Sequence, residues 1–324
     1  MKVSPEKLAA EAEMTGFRPD MLEKAAHLLG LLDALRSHPF LKKKLVLKGG
    51  TALNLFIFDV PRLSVDIDLN YVGAVDRDGM LAERPKVVQA VQAVFAREGF
   101  TVRRMPEEHA GGKWLLRYEN ASGRSSNLEV DINFMFRIPL WPVITRDSHP
   151  IGAWRATDIP MLDRHELAAG KLVALLPRRQ VRDLFDSHRI LRMDDLDFHR
   201  LRIGFVLYGA MNRKDWRTIS VDDVDFDAVD LIKQLLPTLR VNMSEIRGES
   251  TEFGTRLVRE CREGLSMLLP FTDSERAFLD LLLDQGEIDS ALLTSDTFLQ
   301  QRIQSHPLLE WKALSVRRYK LKGK

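Results

Sequence analysis

The chain has 324 residues, with 48 Lys plus Arg against 46 Asp plus Glu and a single cysteine. At 45% hydrophobic and 29% charged residues, it can bury a sizeable core and is neither disordered nor fibrous. The net charge of +2 excludes a uniformly basic, histone-like protein but leaves room for a local basic patch. At about 150 residues to a domain, the length predicts two domains.

The cellular compartment is suggested by what the sequence lacks. Cys261 has no second cysteine with which to form a disulfide, which favours a reducing environment. The first residues contain no apolar segment of the signal-peptide kind, and no apolar run approaches the roughly 20 residues that a bilayer requires. We therefore expect a cytoplasmic protein with no membrane partner.

The N-terminal half mixes helical and strand patterns. Ser4 followed by Pro5 is typical of a helix start, because serine caps the helix and proline suits its first position. The pair Gly111-Gly112 is predicted to be a turn between strands. In chain order the patterns predict helices within 1–44, a strand-like run at 45–47, a short helix at 51–58, a strand at 65–72, a helix at 85–98, and strands at 101–105, 114–119 and 127–136.

The C-terminal half has almost entirely helical spacing. Residues 311–324 hold six basic and no acidic side chains, a composition that suits RNA binding or, equally, a solvated terminus. Together the two halves predict an α+β fold, with a mixed sheet and leading helices in residues 1–158 and an α-helical domain in 159–324. The predicted helices of the second domain lie at 165–176, 181–193, 198–212, 227–236, 252–268, 273–284 and 296–304, with Pro177 between the first two.

The strand at 65–72 carries the most informative pair of side chains. Asp66 and Asp68 project from one strand face, while Val65, Ile67 and Leu69 project towards the core. Two carboxylates this close repel each other, so such a pair needs either full solvation or a cation between them. Ligands that offer only oxygen suit Mg²⁺, which takes one or two carboxylates together with substrate phosphates.

A second acidic strand supports a metal site. On the strand at 127–136, Glu129, Asp131 and Asn133 share one face. If this strand lies beside the strand at 65–72, Asp131 becomes a third carboxylate of the same site. Three carboxylates can hold two metal ions about 4 Å apart, an arrangement that supports in-line phosphoryl or nucleotidyl transfer.

Gly49, Gly50 and Thr51 lie between the apolar run and the short helix. Two glycines allow the backbone to approach a phosphate closely, the helix start offers free N–H groups, and the threonine adds a hydroxyl. The segment is neither a Walker loop nor a dinucleotide fingerprint, because neither pattern is present. Taken alone, a glycine pair is usually a turn and a D-x-D is usually a solvated strand face; their order along the chain favours function.

These motifs carry a family resemblance. The run from Lys48 to Leu53, followed by Arg62-x-Ser64-x-Asp66-Ile67-Asp68, resembles the AbiEii/AbiGii-type (MenT-like) nucleotidyltransferase toxins of the DNA polymerase β-like superfamily. The resemblance spans roughly residues 45–195 and implies a polymerase-β-like nucleotidyltransferase core. The family often has serine where this chain has Gly50 or Thr51. By this resemblance the nucleotide triphosphate is held by Gly49, Gly50 and Thr51, and the metals by Asp66 and Asp68, with Asp131 matching a third carboxylate by pattern only.

The same family has a helical lysine and a downstream aspartate motif, which match Lys171, Asp183 and Asp186 here. A lysine in the apolar stripe of a helix is unusual unless its ammonium reaches a phosphate or a carboxylate. The resemblance therefore implies catalytic roles for Lys171 and Asp183, with Asp186 near the nucleotide. The structural alternative is a lysine that extends to water and an ordinary pair between Arg182 and Asp186.

Arg62 and Ser64 precede the acidic strand. Arg62 can hold a triphosphate or a carboxylate with two hydrogen bonds, or it can be a surface arginine. Ser64 shares the face of Asp66 if the strand begins early enough, and its hydroxyl would then contact nucleotide. We place both residues in the predicted nucleotide-binding set.

The predicted function is a Mg²⁺-dependent nucleotidyltransferase that uses an NTP, with two metal ions and with Mn²⁺ as an alternative. The resemblance implies a toxin of a toxin–antitoxin or phage-defence pair that adds nucleotides to the 3′ end of tRNA and blocks translation, with a cognate antitoxin as partner. We expect a monomer. Two alternatives stay open: transfer to a small molecule or a protein hydroxyl, and an NTP-binding module without turnover.

Overall fold

A computed structural model describes residues 3–106, 110–240 and 250–322. The structure divides the chain into two compact units. Within the described ranges, no helix has both the length and the apolar character that crossing a membrane requires.

Each unit is assembled from segments that are separated in the sequence. The sheet unit contains Met1–Arg137 and Val143–Leu162, together with a segment that starts at Lys233. The helical unit contains Ile138–Pro142 and Asp163–Ile232, together with the remaining C-terminal helices.

The sheet unit is built on one mixed sheet of seven strands. The strands are β1 (Leu45–Lys48), β2 (Asp66–Tyr71), β3 (Thr101–Arg104), β4 (Gly111–Glu119), β5 (Ser125–Asn133), β6 (Ile144–Arg146) and β7 (Ile159–Met161). They lie in the order β3-β4-β5-β2-β1-β7-β6. The pairs β2–β5 and β1–β7 are parallel, and the other four pairs are antiparallel. The predicted mixed sheet with flanking helices is confirmed.

Burial alternates along the two central strands as the sequence predicts. Ile67 and Leu69 of β2 are buried, as are Val130 and Ile132 of β5, whereas the residues between them are half-buried. The core of the sheet unit therefore lies on one face of these strands, and the acidic side chains project from the other face.

Several helices accompany the sheet. The Ser4 hydroxyl accepts the Lys7 backbone N–H at 3.3 Å at the start of the first helix, so the predicted serine cap is confirmed. That helix ends at Gly16, which has the left-handed conformation. The helices of the sheet unit are α1 (Pro5–Thr15), α2 (Pro19–Ser37), α3 (Gly49–Ala52), which continues as a π-helical turn (Leu53–Ile57), and α4 (Arg77–Arg97).

Two predictions about this half are wrong. The helix predicted at 85–98 begins already at Arg77, because Asp76 caps it by accepting the Gly79 N–H at 2.8 Å. The pair Gly111-Gly112 lies inside β4 and not in a turn. Gly111 has φ +103° and packs directly on the Ile132 carbonyl, so only glycine fits this point of the strand.

The strand β7 and the edge strand β6 were not predicted. Each has three residues, which is too short for an alternating pattern to stand out from the surrounding loop. Their pairing, with Thr145 opposite Pro160, closes one edge of the sheet.

The helical unit contains the predicted C-terminal helices. Pro177 lies within the last turn of the first of them and does not separate it from the next. The terminal segment, predicted only as a basic tail, is helical over Pro307–Lys322. The helices are α5 (Arg164–Arg178), α6 (Val181–Ile190) and α7 (Phe198–Ala210), followed by Ala228–Asp230, Ser250–Leu265, Asp273–Asp280, Thr297–Gln304 and Pro307–Lys322.

Candidate active site

A row of four charged residues crosses the centre of the sheet. Asp68 of β2 lies opposite Asp131 of the parallel strand β5. On either side, Lys48 of β1 lies opposite Asp68, and Lys113 of β4 lies opposite Asp131. Residues opposite each other in neighbouring strands project from the same face, so two carboxylates stand side by side between two lysines. The sheet thereby brings Asp131 beside the predicted acidic pair.

A second row runs next to the first. Asp66 lies opposite Glu129 of β5, on the same face as Asp68 and Asp131. The Glu129 carboxylate accepts a hydrogen bond from Lys113 Nζ at 2.7 Å. The Glu129 carboxylate raises the pKa of Lys113, with further contributions from Asp66 and Asp68. This lysine is therefore held in its charged form beside the acidic group.

The electrostatics of Asp131 reflect its crowded surroundings. Burial raises the pKa of the Asp131 carboxyl above its ordinary value, the Lys48 ammonium opposes this, and the Asp68 charge adds to it. Both effects that raise the pKa disfavour a second negative charge beside Asp68. A cation bound between the two carboxylates would remove that penalty.

Gly49 leaves room beside the Asp68 carboxylate. It has φ +74°, and a Cβ at this position would overlap the carboxylate of Asp68. Glycine is therefore required here both by conformation and by space. Gly50 follows in the first turn of α3, where its carbonyl accepts a hydrogen bond from Asn54 Nδ2 at 2.9 Å. The glycine pair thus forms the beginning of the helix and not a turn before it.

Thr51 ties this helix to the acidic strand. Its side chain is fully buried, and its hydroxyl donates a hydrogen bond to the Asp66 carbonyl at 2.5 Å. The contact fixes the spacing between α3 and β2, and so helps to position Asp66. A direct contact of Thr51 with nucleotide stays a prediction.

Arg62 and Ser64 are both buried, with exposed fractions of 2% and 6%, so the surface-arginine alternative is wrong. Arg62 Nη1 donates a hydrogen bond to the Leu63 carbonyl at 3.0 Å. Strand β2 begins at Asp66, so Ser64 lies in the segment before the strand and not on its face. Their contacts with nucleotide stay predictions.

A second predicted group is assembled in the helical unit. Lys171 of α5 donates a hydrogen bond to Asp183 of α6 at 2.7 Å, and its Nζ lies 3.2 Å from Asp186. The side chain of Asp186 is fully buried, and those of Lys171 and Asp183 are 11% and 12% exposed. Lys171 therefore does not extend to water, and the structural alternative for it is wrong. The group carries one positive and two negative charges.

The local sequence explains why this lysine is held. Asp163 caps α5 by accepting the His165 N–H at 2.9 Å, and Arg179 ends the helix in the left-handed conformation. Leu167 and Leu172 anchor the buried side of α5. Only two residues separate the end of α5 from the start of α6, so the chain turns back and the α6 carboxylates meet the lysine.

The acidic residues of the sheet unit fit a hard divalent cation. Asp66, Asp68 and Asp131 offer only carboxylate oxygens, which Mg²⁺ and Mn²⁺ prefer, and Gly49 keeps side-chain atoms away from the Asp68 carboxylate. Among residues 3–106, 110–240 and 250–322, no group of three or more His, Cys, Asp or Glu side chains is already gathered closely enough to hold a metal ion. The fit thus rests on donor chemistry, strand register and the space beside Gly49.

Lys113 was absent from the predicted site. Its only sequence signal is its position on the same alternating face as Leu115 and Arg117 of β4. Which residue of β5 it meets depends on the pairing register, which the sequence does not specify. Lys48 was noted only as part of the glycine motif, and its place opposite Asp68 likewise required the register.

A glycine-led helix beside carboxylates of neighbouring strands suits nucleotidyl transfer, and a family match shows that the chain is a nucleotidyltransferase. It belongs to the AbiEii family, because the sequence model described as "Nucleotidyl transferase AbiEii toxin, Type IV TA system" matches residues 30–260. The predicted family resemblance is confirmed. The protein is thus a nucleotidyltransferase toxin of a type IV toxin–antitoxin system, a class that implies a cognate antitoxin.

A solved structure shares the fold. MenT4, nucleotidyltransferase toxin Rv2826c from Mycobacterium tuberculosis H37Rv, matches with a TM-score of 0.60 and 18% sequence identity, over 95% of this chain and 99% of that chain. At this identity the likeness shows the fold alone. Comparison with curated protein sequences gives no match.

Proposed function

We propose that the protein transfers nucleotides from an NTP to the 3′ end of tRNA in a Mg²⁺-dependent reaction and thereby blocks translation. The observation that carries this proposal is the position of Asp131 directly opposite Asp68, with Asp66 on the same face. Three carboxylates on one sheet face are the ligands that a two-metal nucleotidyl transfer uses.

Asp66, Asp68 and Asp131 would hold two Mg²⁺ ions, or Mn²⁺ in their place. Bound there, the metals would activate the acceptor hydroxyl and stabilise the departing pyrophosphate. Gly49 and Gly50 let the backbone of α3 approach the triphosphate beside Asp68. We assign Thr51 a second role, because its hydrogen bond to the Asp66 carbonyl keeps the metal strand at a fixed distance from that helix.

Lys171 would neutralise part of the triphosphate charge, with Asp183 and Asp186 holding its ammonium in place. The hydrogen bond to Asp183 and the ion pair with Asp186 restrict the rotamers of the lysine before the nucleotide arrives. We assign Lys171 and Asp183 the catalytic roles that the family resemblance implies for them. Arg62 and Ser64 would complete the nucleotide-binding set from the segment before β2.

The proposed RNA acceptor and the proposed cellular location go beyond the family assignment. A toxin of a type IV pair must act on an essential cellular target until its antitoxin counters it. The 3′ hydroxyl of tRNA is a suitable nucleophile, because each added nucleotide would cover the end at which the amino acid is loaded. We propose that the protein acts in the cytoplasm, as a monomer.

Labelled NTPs test this function. The wild-type protein, the Asp66→Ala variant and the Asp78→Ala variant are incubated with each of four labelled NTPs and a cell extract, and label is followed in RNA, protein and small-molecule fractions. Asp78 is a matched control, because its side chain is 95% exposed and lies outside the site. We expect label from at least one NTP in the tRNA fraction with wild type and Asp78→Ala only. Label in protein or in small molecules would redirect the proposal to another acceptor.

A further inference from the structure

A basic cavity lies at one edge of the sheet unit, away from the acidic row. It has a volume of about 500 Å³. Its walls come from the end of α2, from the turn before β1, from the edge strand β6, and from β7 with the residue before it. The polar side chains that line it are Arg36, Ser37, Lys42, Lys43, Thr145 and Asp158.

The cavity carries a net positive charge from three cations and one carboxylate. Lys42 and Lys43 are exposed, and in the described part of the chain neither forms an ion pair. Arg36 donates a hydrogen bond from Nη2 to Thr157 Oγ1 at 3.2 Å and forms an ion pair with Asp33 at 3.7 Å, but its Nε is buried and has no hydrogen-bond partner among the described residues. A buried donor without an acceptor favours a ligand that supplies one.

The cavity is separate from the proposed catalytic residues. Lys42 and Lys43 precede β1, whereas Lys48 at the other end of that strand lies opposite Asp68. Strand β1 has four residues, so the cavity at its start and Lys48 at its end are roughly 13 Å apart. Strand β7 runs parallel to β1, so Asp158, just before β7, lies at the cavity end as well. A triphosphate held beside Gly49 would therefore not occupy this cavity.

The lining indicates which part of a ligand is recognised. Guanidinium and ammonium groups bind phosphate oxygens, and the hydroxyls of Ser37 and Thr145 can add hydrogen bonds to phosphate or ribose. None of the described lining residues is aromatic, so the cavity offers no platform on which a base could stack. Contacts to phosphate position a nucleic acid without reading its sequence.

We propose that this cavity binds the phosphodiester backbone of the RNA acceptor. The proposal rests on the proposed function to the extent that RNA is the acceptor, and it adds the surface that holds the RNA while its 3′ end reaches the acidic row. The Lys42, Lys43 and Arg36 side chains contact phosphates, and the Asp158 carboxylate limits the net positive charge and can accept a hydrogen bond from a ribose 2′-hydroxyl.

Binding is measured apart from transfer. Fluorescently labelled bulk tRNA is titrated at several salt concentrations with the full-length Asp68→Asn protein, in which loss of a proposed metal ligand should prevent extension of the RNA. Adding Lys42→Glu and Lys43→Glu reverses two charges. We expect the affinity to fall at least tenfold near physiological salt. The slope of log affinity against log salt should become shallower by about 1.5, because each phosphate contact contributes roughly 0.7–0.9 to that slope.

Two further variants make the test specific. Arg103→Glu with Arg104→Glu gives the same change in charge on exposed residues of β3, the strand at the opposite edge of the sheet, and should leave binding within twofold of the parent. Among the described lining residues only Asp158 is acidic, so Asp158→Asn should strengthen binding. Asparagine also tolerates the left-handed conformation of Asp158, φ +54°, so the variant should fold normally.

The outcomes separate this proposal from the proposed function. Equal tRNA affinity in all variants would overturn the cavity proposal, yet tRNA extension by the wild-type protein would stand. Equal losses in the β3 and cavity variants would also overturn it, because the effect would then be general electrostatics. Lys42→Glu with Lys43→Glu is also introduced into the protein with Asp68 intact; a raised KM for NTP there, with unchanged tRNA affinity in the Asp68→Asn protein, would make the cavity a nucleotide site and overturn the proposal. Cavity-dependent tRNA binding without any transfer of label would instead remove the proposed reaction and leave the RNA site.

Discussion

Asp68 and Asp131 lie directly opposite each other on the parallel strands β2 and β5. Both carboxylates project from the same face of the sheet, and the Asp68 charge contributes to the raised pKa of Asp131. This arrangement is electrostatically unfavourable for the protein alone, and a bound cation would relieve it. The first prediction follows from that conflict.

Replacing Asp131 by Asn should stabilise the metal-free protein while removing activity. Loss of one of two like charges directly opposite each other is expected to raise the free energy of unfolding by about 0.5–1 kcal/mol. In EDTA, Asp131→Asn should therefore melt at a higher temperature than wild type. Addition of Mg²⁺ should raise the melting temperature of the wild type and have little effect on the variant. Asp78→Asn should respond to Mg²⁺ as the wild type does; an identical Mg²⁺ response in Asp131→Asn would remove Asp131 from the metal site.

Gly49 should not tolerate a methyl group. Gly49→Ala forces a Cβ into the Asp68 carboxylate and places alanine at φ +74°, so we expect a loss of about 1–3 kcal/mol in stability and loss of NTP transfer. The matched control is Gly30→Ala in α2, where a Cβ has open space. In that helix interior alanine should be neutral or stabilising by about 0.5–1 kcal/mol. Denaturant unfolding and transfer assays on both variants measure the difference; full activity of Gly49→Ala would contradict the proposed phosphate approach.

The Lys171 group allows stability to be separated from catalysis. Lys171→Met removes the ammonium that pairs with Asp183 and Asp186 and should destabilise the protein by about 3–5 kcal/mol. Combining it with Asp183→Asn and Asp186→Asn neutralises both acidic side chains of this group, so part of the stability should return. Transfer activity should stay absent in the triple variant, because no ammonium remains to meet the triphosphate. Recovery of activity together with stability would show that the lysine serves only the fold.

A buried glutamate should give the helical unit a pH-dependent stability. Burial raises the pKa of Glu166 to about 7, although its carboxylate accepts hydrogen bonds from the Tyr208 hydroxyl and from the backbone N–H of Leu140 and Trp141. The folded protein binds a proton there that the unfolded chain, with a pKa near 4.5, has lost. The contribution of Glu166 to the free energy of unfolding should therefore be largest below pH 4.5. It should fall as the pH rises from about 4.5 to 7, by up to about 3 kcal/mol in total.

Glu166→Gln tests this dependence. Glutamine keeps the size of the side chain but cannot ionise, so the difference in unfolding free energy between wild type and variant should change with pH over that window. Urea titrations at pH 5, 6 and 7 would measure it. A constant difference between the two proteins would show that Glu166 does not titrate there.

The sequence predicted the strands and motifs of the site better than it predicted which residues lie opposite each other in neighbouring strands. The alternation of Asp66 and Asp68 with buried apolar residues predicts a strand with an acidic face, because side-chain direction follows directly from strand geometry. The glycine motif and the order of the elements predicted the family, which is confirmed. By contrast, the position of Lys113 beside Asp131 depends on a register between strands, which only the folded sheet sets.

Local signals failed where tertiary contacts decide the structure. Gly111-Gly112 looks like a turn but belongs to β4, because the sheet needs a position without a Cβ against the Ile132 carbonyl. The capping residue Asp76 starts α4 well before the apolar spacing that predicted a helix at 85–98. The sequence left open whether the Lys171 ammonium reaches a phosphate or carboxylate or extends to water. The structure answers this, because α6 brings Asp183 within hydrogen-bonding distance of the lysine.

Transfer to tRNA with and without an intact 3′ end tests the central claim most directly. Wild-type protein is incubated with Mg²⁺, labelled NTP and either native tRNA or tRNA whose terminal ribose has been oxidised by periodate, which destroys the 3′ hydroxyl. The account predicts label in the native tRNA, none in the oxidised tRNA, and none in either with Asp66→Ala. Equal labelling of both RNAs, or no labelling of native tRNA by any of the four NTPs, would contradict it.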